Sequence, residues 1–219
     1  MKKVIHIKQK AIYILTIVMV LTCIASCGKS DGGGSTMSTD ISPVSLYIKE
    51  EGKVISLGLN YSDIDAELNL PVAKSETHDS LTMVQYGDAM KDNLIQIGFV
   101  DDKASLFILT QFSGKKYYTN SGLTIGASNV DFWKMYDVPD DMSYNDKMDA
   151  RDYYAFLIVE DNGDYSTSII GDSRVTSSAF SNYYCMYVMI DNKSFSCDVN
   201  KIVIGTPEAI KIYESWDIY

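Results

Sequence analysis

Two histidines serve 219 residues, and His6 lies in a lysine-rich leader, so His78 is left as the one imidazole available to the body of the chain. It sits in "SETHDS", beside Asp79 and Ser80. Ser, His and Asp make a hydrolytic triad only when hydroxyl, imidazole and carboxylate converge in space as nucleophile, base and orienter. Three consecutive residues of a polar loop do not converge in that way, and a solvated histidine is expected there. One imidazole also falls short of a metal site built on two or more. Carboxylates are plentiful: Asp137, Asp140, Asp141, Asp146, Asp149 and Asp152 crowd "DVPDDMSYNDKMDARDY". Hard cations such as calcium want several such oxygens, but the glycine and closing glutamate of the calcium-loop signature are missing. A solvated acidic loop is therefore the simpler expectation, with calcium as the open alternative. Paired acids for glycoside hydrolysis are recognised by their separation in space, and no spacing here marks a pair. "DGGGS" follows no strand, so it is not a phosphate-cradling loop, and no cofactor is expected.

Thiol chemistry is equally thin. If "DNKS" or "NK" closes a hairpin, Ile190 faces Phe195, Val188 faces Cys197 and Cys185 faces Asn200, and strand alternation sends the two sulfurs to opposite faces. Free thiols are then expected; an odd-length loop or a bulge would reverse this. Cys185 has no evident base and reads as a packed thiol. Tyrosine is the excess, 16 in all, with doublets at Tyr117-Tyr118, Tyr153-Tyr154 and Tyr183-Tyr184. Neighbouring strand residues point to opposite faces, so each doublet places one ring in the core and one outside. With Phe195, Cys197 and Val199 turned toward the helices, Tyr183, Tyr187 and Met189 are left on the other face, beside Asp198 and Asn200. Rigid aromatics among polar neighbours are what protein-recognition surfaces favour. The alternative is a second buried face, because aromatic strands are also common in cores.

Something must position these residues, and one phrase of the chain occurs twice. "ISLGLNYSDIDAELNLP" (Ile55–Pro71) and "LTIGASNVDFWKMYDVP" (Leu123–Pro139) align without a gap at an offset of 68 residues. Asn60 and Ser128, two places after Gly58 and Gly126, are good helix N-caps. Asp63 and Asp131 fall where a carboxylate can return to the cap and meet the positive helix end. Ile64 with Leu68, and Phe132 with Tyr136, lie one turn apart on one face; Trp133 is expected in the core. Pro71 and Pro139 stop the helices. "VAKSETHDS" is too polar for a second helix. Beyond it the period changes: "LTMVQYG", "NLIQIGFV" and "ASLFILTQF" read as a meander, as do "YYAFLIVE", "YSTSIIGDSRVTS", "NYYCMYVMI" and "FSCDVNKIVI" after the second helix. "VSLYIK" and "VISLG" add a preliminary hairpin around "EEGK". "GTPEAIKIYESW" carries a cap, a proline at the first helical position and a first-turn glutamate, which predicts a closing helix over 207–216.

This pattern of aliphatic residue, glycine, cap, helix and proline, recurring in tandem before small meanders, resembles the β-lactamase-inhibitor-protein-like (BLIP-like) fold. The resemblance implies an α+β class with two tandem repeats, each a short helix packed on a three- to four-stranded antiparallel meander sheet, at residues 41–120 and 121–219. It also implies that the sheet face away from the helices contributes to a concave protein-binding surface.

The first 26 residues read as an export signal, with Lys2, Lys3, Lys8 and Lys10 ahead of an apolar run too short to cross a bilayer as a finished helix. Ile24-Ala25-Ser26-Cys27 resembles the lipobox of bacterial lipoproteins, which implies a diacylglycerol on Cys27 and cleavage just before it. Two or more acyl chains hold a protein on a membrane far better than one. Residues 27–40, rich in Gly and Ser, then form a flexible tether. The net charge of −10, more negative once the leader lysines are gone, argues against nucleic-acid binding. The expectation is a lipid-anchored, extracytoplasmic, non-catalytic module for a protein or peptide partner, with Tyr183, Tyr187, Met189, Asp198 and Asn200 as its contact residues. A cell-surface hydrolase using scattered carboxylates and a structural spacer in an envelope complex are the alternatives.

Overall fold

The computed structural model describes residues 41–136, 145–146, 151–161, 164–169, 183–191 and 198–216. The described residues open with a hairpin of β1 (Ser45–Ile48) and β2 (Lys53–Ser56), and β7 (Tyr117–Thr119) joins its other side to make a three-stranded sheet ordered β2-β1-β7. The remaining strands are β3 (Val72–His78), β4 (Leu81–Tyr86), β5 (Ile95–Val100), β6 (Lys103–Thr110), β8 (Asn145–Asp146), β9 (Arg151–Asp161), β10 (Asp164–Ile169), β11 (Tyr183–Asp191) and β12 (Asp198–Gly205). Among the described residues they form one nine-stranded sheet in the order β10-β9-β11-β12-β6-β5-β4-β3, with β8 also paired to β9, and every pairing there is antiparallel.

This overturns the expected fold class. The described chain is mostly β, and it is not two tandem α+β repeats, each a helix on its own small sheet. Strands from both halves run into a single sheet, where β6 and β12 pair from Leu106↔Gly205 to Thr110↔Lys201. The physical reason is at that seam. Leu106-Phe107-Ile108-Leu109 and Ile202-Val203-Ile204 are unbroken apolar runs, all buried, which is what a strand covered on both faces requires. Phe107, Leu109, Ile202 and Ile204 enter the main core, whereas Leu106, Ile108 and Val203 enter a second, smaller cluster behind the sheet. "VAKSETH", expected as a polar non-helical stretch, is strand β3, exposed at all seven positions. It turns into β4 through Asp79 and Ser80, with Asp79 at φ 51°.

The two glycine-led segments do give helices, α1 (Tyr61–Leu68) and α2 (Asn129–Tyr136). Both contribute to the main core, with the three-stranded sheet alongside. Gly58 and Gly126 have φ of +86° and +76°, a region that costs a side-chain-bearing residue energy but not glycine. Each glycine N–H donates to a strand carbonyl, Ala104 at 2.7 Å and Val199 at 2.8 Å. The same strand residues donate back to the carbonyls of Leu59 (2.8 Å) and Ala127 (2.9 Å). A third helix, α3 (Pro207–Ser215), follows β12 directly.

Candidate functional site

The back of the large sheet, opposite α1 and α2, is built from the residues at 183, 185, 187 and 189 of β11, 201 and 203 of β12, 106 and 108 of β6, and 81, 83 and 85 of β4. This face would be wet were it not for α3. Thr206 caps that helix, its hydroxyl accepting from the Ala209 N–H at 3.3 Å, and Pro207 sits in the first turn, where its missing donor costs nothing. Ala209 and Ile210 are buried in the second cluster with Leu81, Leu106, Ile108, Cys185 and Val203, while Tyr213 and Trp216, further along the same helical face, pack at its margin. One short helix cannot cover so broad a sheet, and clefts remain on both of its flanks.

The first cleft, of about 160 Å³, is lined by Tyr187, Met189, Lys201, Val203, Tyr213 and Glu214, among others. Lys201 Nζ donates to the Tyr213 hydroxyl at 3.1 Å and lies 5.1 Å from the centre of its ring. The cleft thus has an apolar floor with an aromatic hydroxyl, a cation and a carboxylate at its rim. The second cleft, of about 190 Å³, lies between Tyr213 and the polar groups Lys74, Glu76, Gln85, Gln96 and Thr110, with Met83 below.

Of the five residues expected to meet a partner, the fold brings Tyr187 and Met189 together in the first cleft, and Tyr183 packs at the edge of the cluster around α3. Asp198 and Asn200 do not join them. Asp198 pairs with Asp191 and bridges to Ser128, at the opposite end of β12 from the turn into α3. Asn200 is the extra residue of a bulge, opposite the step from Met189 to Ile190, with its Oδ1 buried and no hydrogen-bond partner. The hairpin register also differs from the expected one, by four positions where Ile190 meets Val199 instead of Phe195 and by one more beyond the bulge. Cys185 faces Gly205 rather than Asn200, Val188 faces Ile202, and Ile190 faces Val199. Phe195 and Cys197 lie outside the described residues, as does Cys27.

Cys185 is a buried free thiol. Burial pushes its pKa up to about 11, with the nearby Glu214 carboxylate acting in the same direction, so it is un-ionised and a poor nucleophile at neutral pH. His78 is part of strand β3, not of a loop. Its ring stacks on Trp216 at 5.2 Å and 24°, and Nε2 is 3.7 Å from the exposed Asp79 carboxylate. Most of the acidic run from Asp137 to Asp152 lies outside the described residues. Among the described residues, no group of three His, Cys, Asp or Glu side chains gathers where a metal could be held, and no helix is long and apolar enough to cross a membrane. Sequence reasoning missed Lys201, Tyr213 and Glu214. The signal was the helical spacing of Ala209, Ile210, Tyr213 and Trp216, which marks an apolar face but not which surface it covers.

Neither protein-family models nor curated protein sequences give a match to this chain. Among solved structures it is similar to an extracellular protein containing an SCP domain from Bacillus anthracis str. Ames, with 11% identity and a TM-score of 0.42 over 72% of this chain and 46% of that one. It is also similar to a cysteine-rich secretory protein from Staphylococcus aureus subsp. aureus Mu50, with 9% identity and a TM-score of 0.37 over 70% and 46%. The chain spans less than half the length of either protein, and a likeness this distant carries no argument about ligand or activity.

Proposed function

We propose that the protein is a lipoprotein, anchored through Cys27 on the extracytoplasmic side of a membrane, whose folded body binds a protein or peptide without catalysing a reaction on it. The observation that supports this reading is the first cleft beside α3. Its floor of Met189, Val203 and Ile210 offers apolar anchorage, and Tyr187, Tyr213, Lys201 and Glu214 surround it with oriented polar groups. Buried anchors inside a polar rim are how peptide-sized ligands are held, with most of the affinity in a few aromatic or aliphatic contacts. The lipid attachment rests on the "IASC" sequence at 24–27.

Selection of a displayed peptide library on the purified full-length protein tests the binding role. Enriched peptides should share an apolar or aromatic anchor and lose at least about tenfold in affinity for a Tyr187→Ala, Met189→Ala variant. Failure to enrich any peptide, or enriched peptides indifferent to that variant, would refute the cleft. Cys27→Ser tests the anchor separately: it should remove the acyl mass and move the protein out of the membrane fraction.

A further inference from the structure

Among the described residues, strand β3 closes one end of the nine-stranded sheet, paired on one side to β4. A strand so placed presents a row of backbone donors and acceptors along its outer side, and natural edges are commonly blunted by a bulge or a lysine. β3 has both, a bulge between Val72 and Lys74 and the lysine itself. It also has Glu76 two residues on, on the same face, with Lys74 Nζ 2.7 Å from Glu76 Oε1. That second charge changes what the edge can do. A lone lysine repels its own copy, whereas a lysine and a glutamate two positions apart are complementary to themselves when the strand is reversed.

We propose that β3 is a homodimer edge, at which two copies of this chain pair antiparallel about Ser75. In this register Ser75 lies opposite Ser75, and Lys74 of each copy lies opposite Glu76 of the other. Directly opposite residues of an antiparallel pair share a face. Lys74 and Glu76 both line the cleft beside Tyr213, so the pairing keeps the α3 side of the two copies on one side of a continuous sheet. Charge selects this register over its neighbours. Sliding by two residues one way puts Lys74 opposite Lys74, and the other way puts Glu76 opposite Glu76. Parallel in-register pairing creates both clashes at once. The strand is sterically open as well, since all of its side chains are exposed. The proposal does not depend on the cleft or on the lipid anchor.

A cysteine at the two-fold position provides the test. In full-length protein, Ser75→Cys should give a disulfide-linked dimer under mild oxidation, beyond any background from the native cysteines, because opposite positions lie within bridging distance. Adding Lys74→Glu should cut the yield about tenfold or more, since two attractive cross-strand pairs become repulsive. Exchanging the charges, as Lys74→Glu with Glu76→Lys in one chain, should restore it. Mixing the Lys74→Glu chain with a Glu76→Lys chain should give a heterodimer in preference to either homodimer. Circular dichroism of each variant separates loss of pairing from loss of fold. A Ser75→Cys protein that stays monomeric, or a cross-link indifferent to Lys74→Glu, overturns the proposal.

Discussion

The segments led by Gly58 and Gly126 begin alike and finish differently. Both glycines turn with positive φ, both dock on a strand through a reciprocal pair of backbone hydrogen bonds, and both helices start three residues later. Their side chains diverge at once. Ser128 caps α2 through Oγ, which accepts from the Asp131 N–H at 3.1 Å and donates to the Asp131 carboxylate at 2.8 Å. Asn60 makes no such cap and instead donates from Nδ2 to Asp63 at 3.2 Å. The buried residues of α1 itself are aliphatic, Ile64 and Leu68, and its ring contacts come from Tyr61 at its start, 5.0 Å from Phe99 and 6.5 Å from Tyr86. Beneath α2, Phe132 sits in an aromatic group with ring centres at 4.9 Å to Tyr154, 5.5 Å to Tyr136 and 6.0 Å to Phe156. The backbone entry is thus fixed by the glycine and the strand it meets, while what each helix contributes to stability depends on the rings or branches below it.

Substitutions can break that comparison. Phe132→Ala should be the most costly, at about 4 kcal/mol, with Ile64→Ala next at about 3 kcal/mol, because each leaves a cavity where the neighbours relax only in part. Urea unfolding reads both as shifts of the midpoint, and the reverse order would show that the aromatic group is not the stronger anchor. Gly126→Ala and Gly58→Ala should cost about 1 kcal/mol each, from backbone strain alone. The space around both is open enough for a Cβ, so unequal costs would mean that the two turns are not equivalent. Tyr136→Phe removes a hydroxyl that lies 3.0 Å from Thr119 Oγ1 and donates to Met186 Sδ at 3.8 Å. It should cost about 1 kcal/mol. Ser128→Ala should cost about 1 kcal/mol for the lost cap, and Asn60→Ala only about 0.3 kcal/mol, the scale of an exposed pair on a helix. Equal thermal shifts for these last two would remove the distinction between the caps.

Local order was legible in the residues, and the larger arrangement was not. The cap and aspartate spacing located α1 and α2, because those signals act within a single turn. "LTMVQYG", "NLIQIGFV" and "ASLFILTQF" contain β4, β5 and all but the first residue of β6, whose side chains must cover a core. β3 was missed because an edge strand open on both faces carries no apolar alternation to read. The joining of both halves in one sheet depends on β6 meeting β12, a contact between distant parts of the chain that no local period encodes. Within the five-residue contact set, Asn200 is the extra residue of a bulge, which alternation cannot foresee, whereas Asp198 keeps the expected face opposite Asp191 but lies at the far end of β12 from the cleft. The cleft needed α3 on the back of the sheet, whereas the sequence shows only that α3 has an apolar stripe.

The pairing of Leu106 with Gly205 at the centre of the sheet also bears on when this molecule can form. A strand laid down midway through synthesis has to wait for one of the last before its neighbour exists, and distant partners of this kind slow the search for the native state. Until that late arrival, the apolar run at 106–109 lacks its neighbour on one flank, and an unpaired apolar strand of that kind is what makes an unfinished polypeptide prone to aggregate.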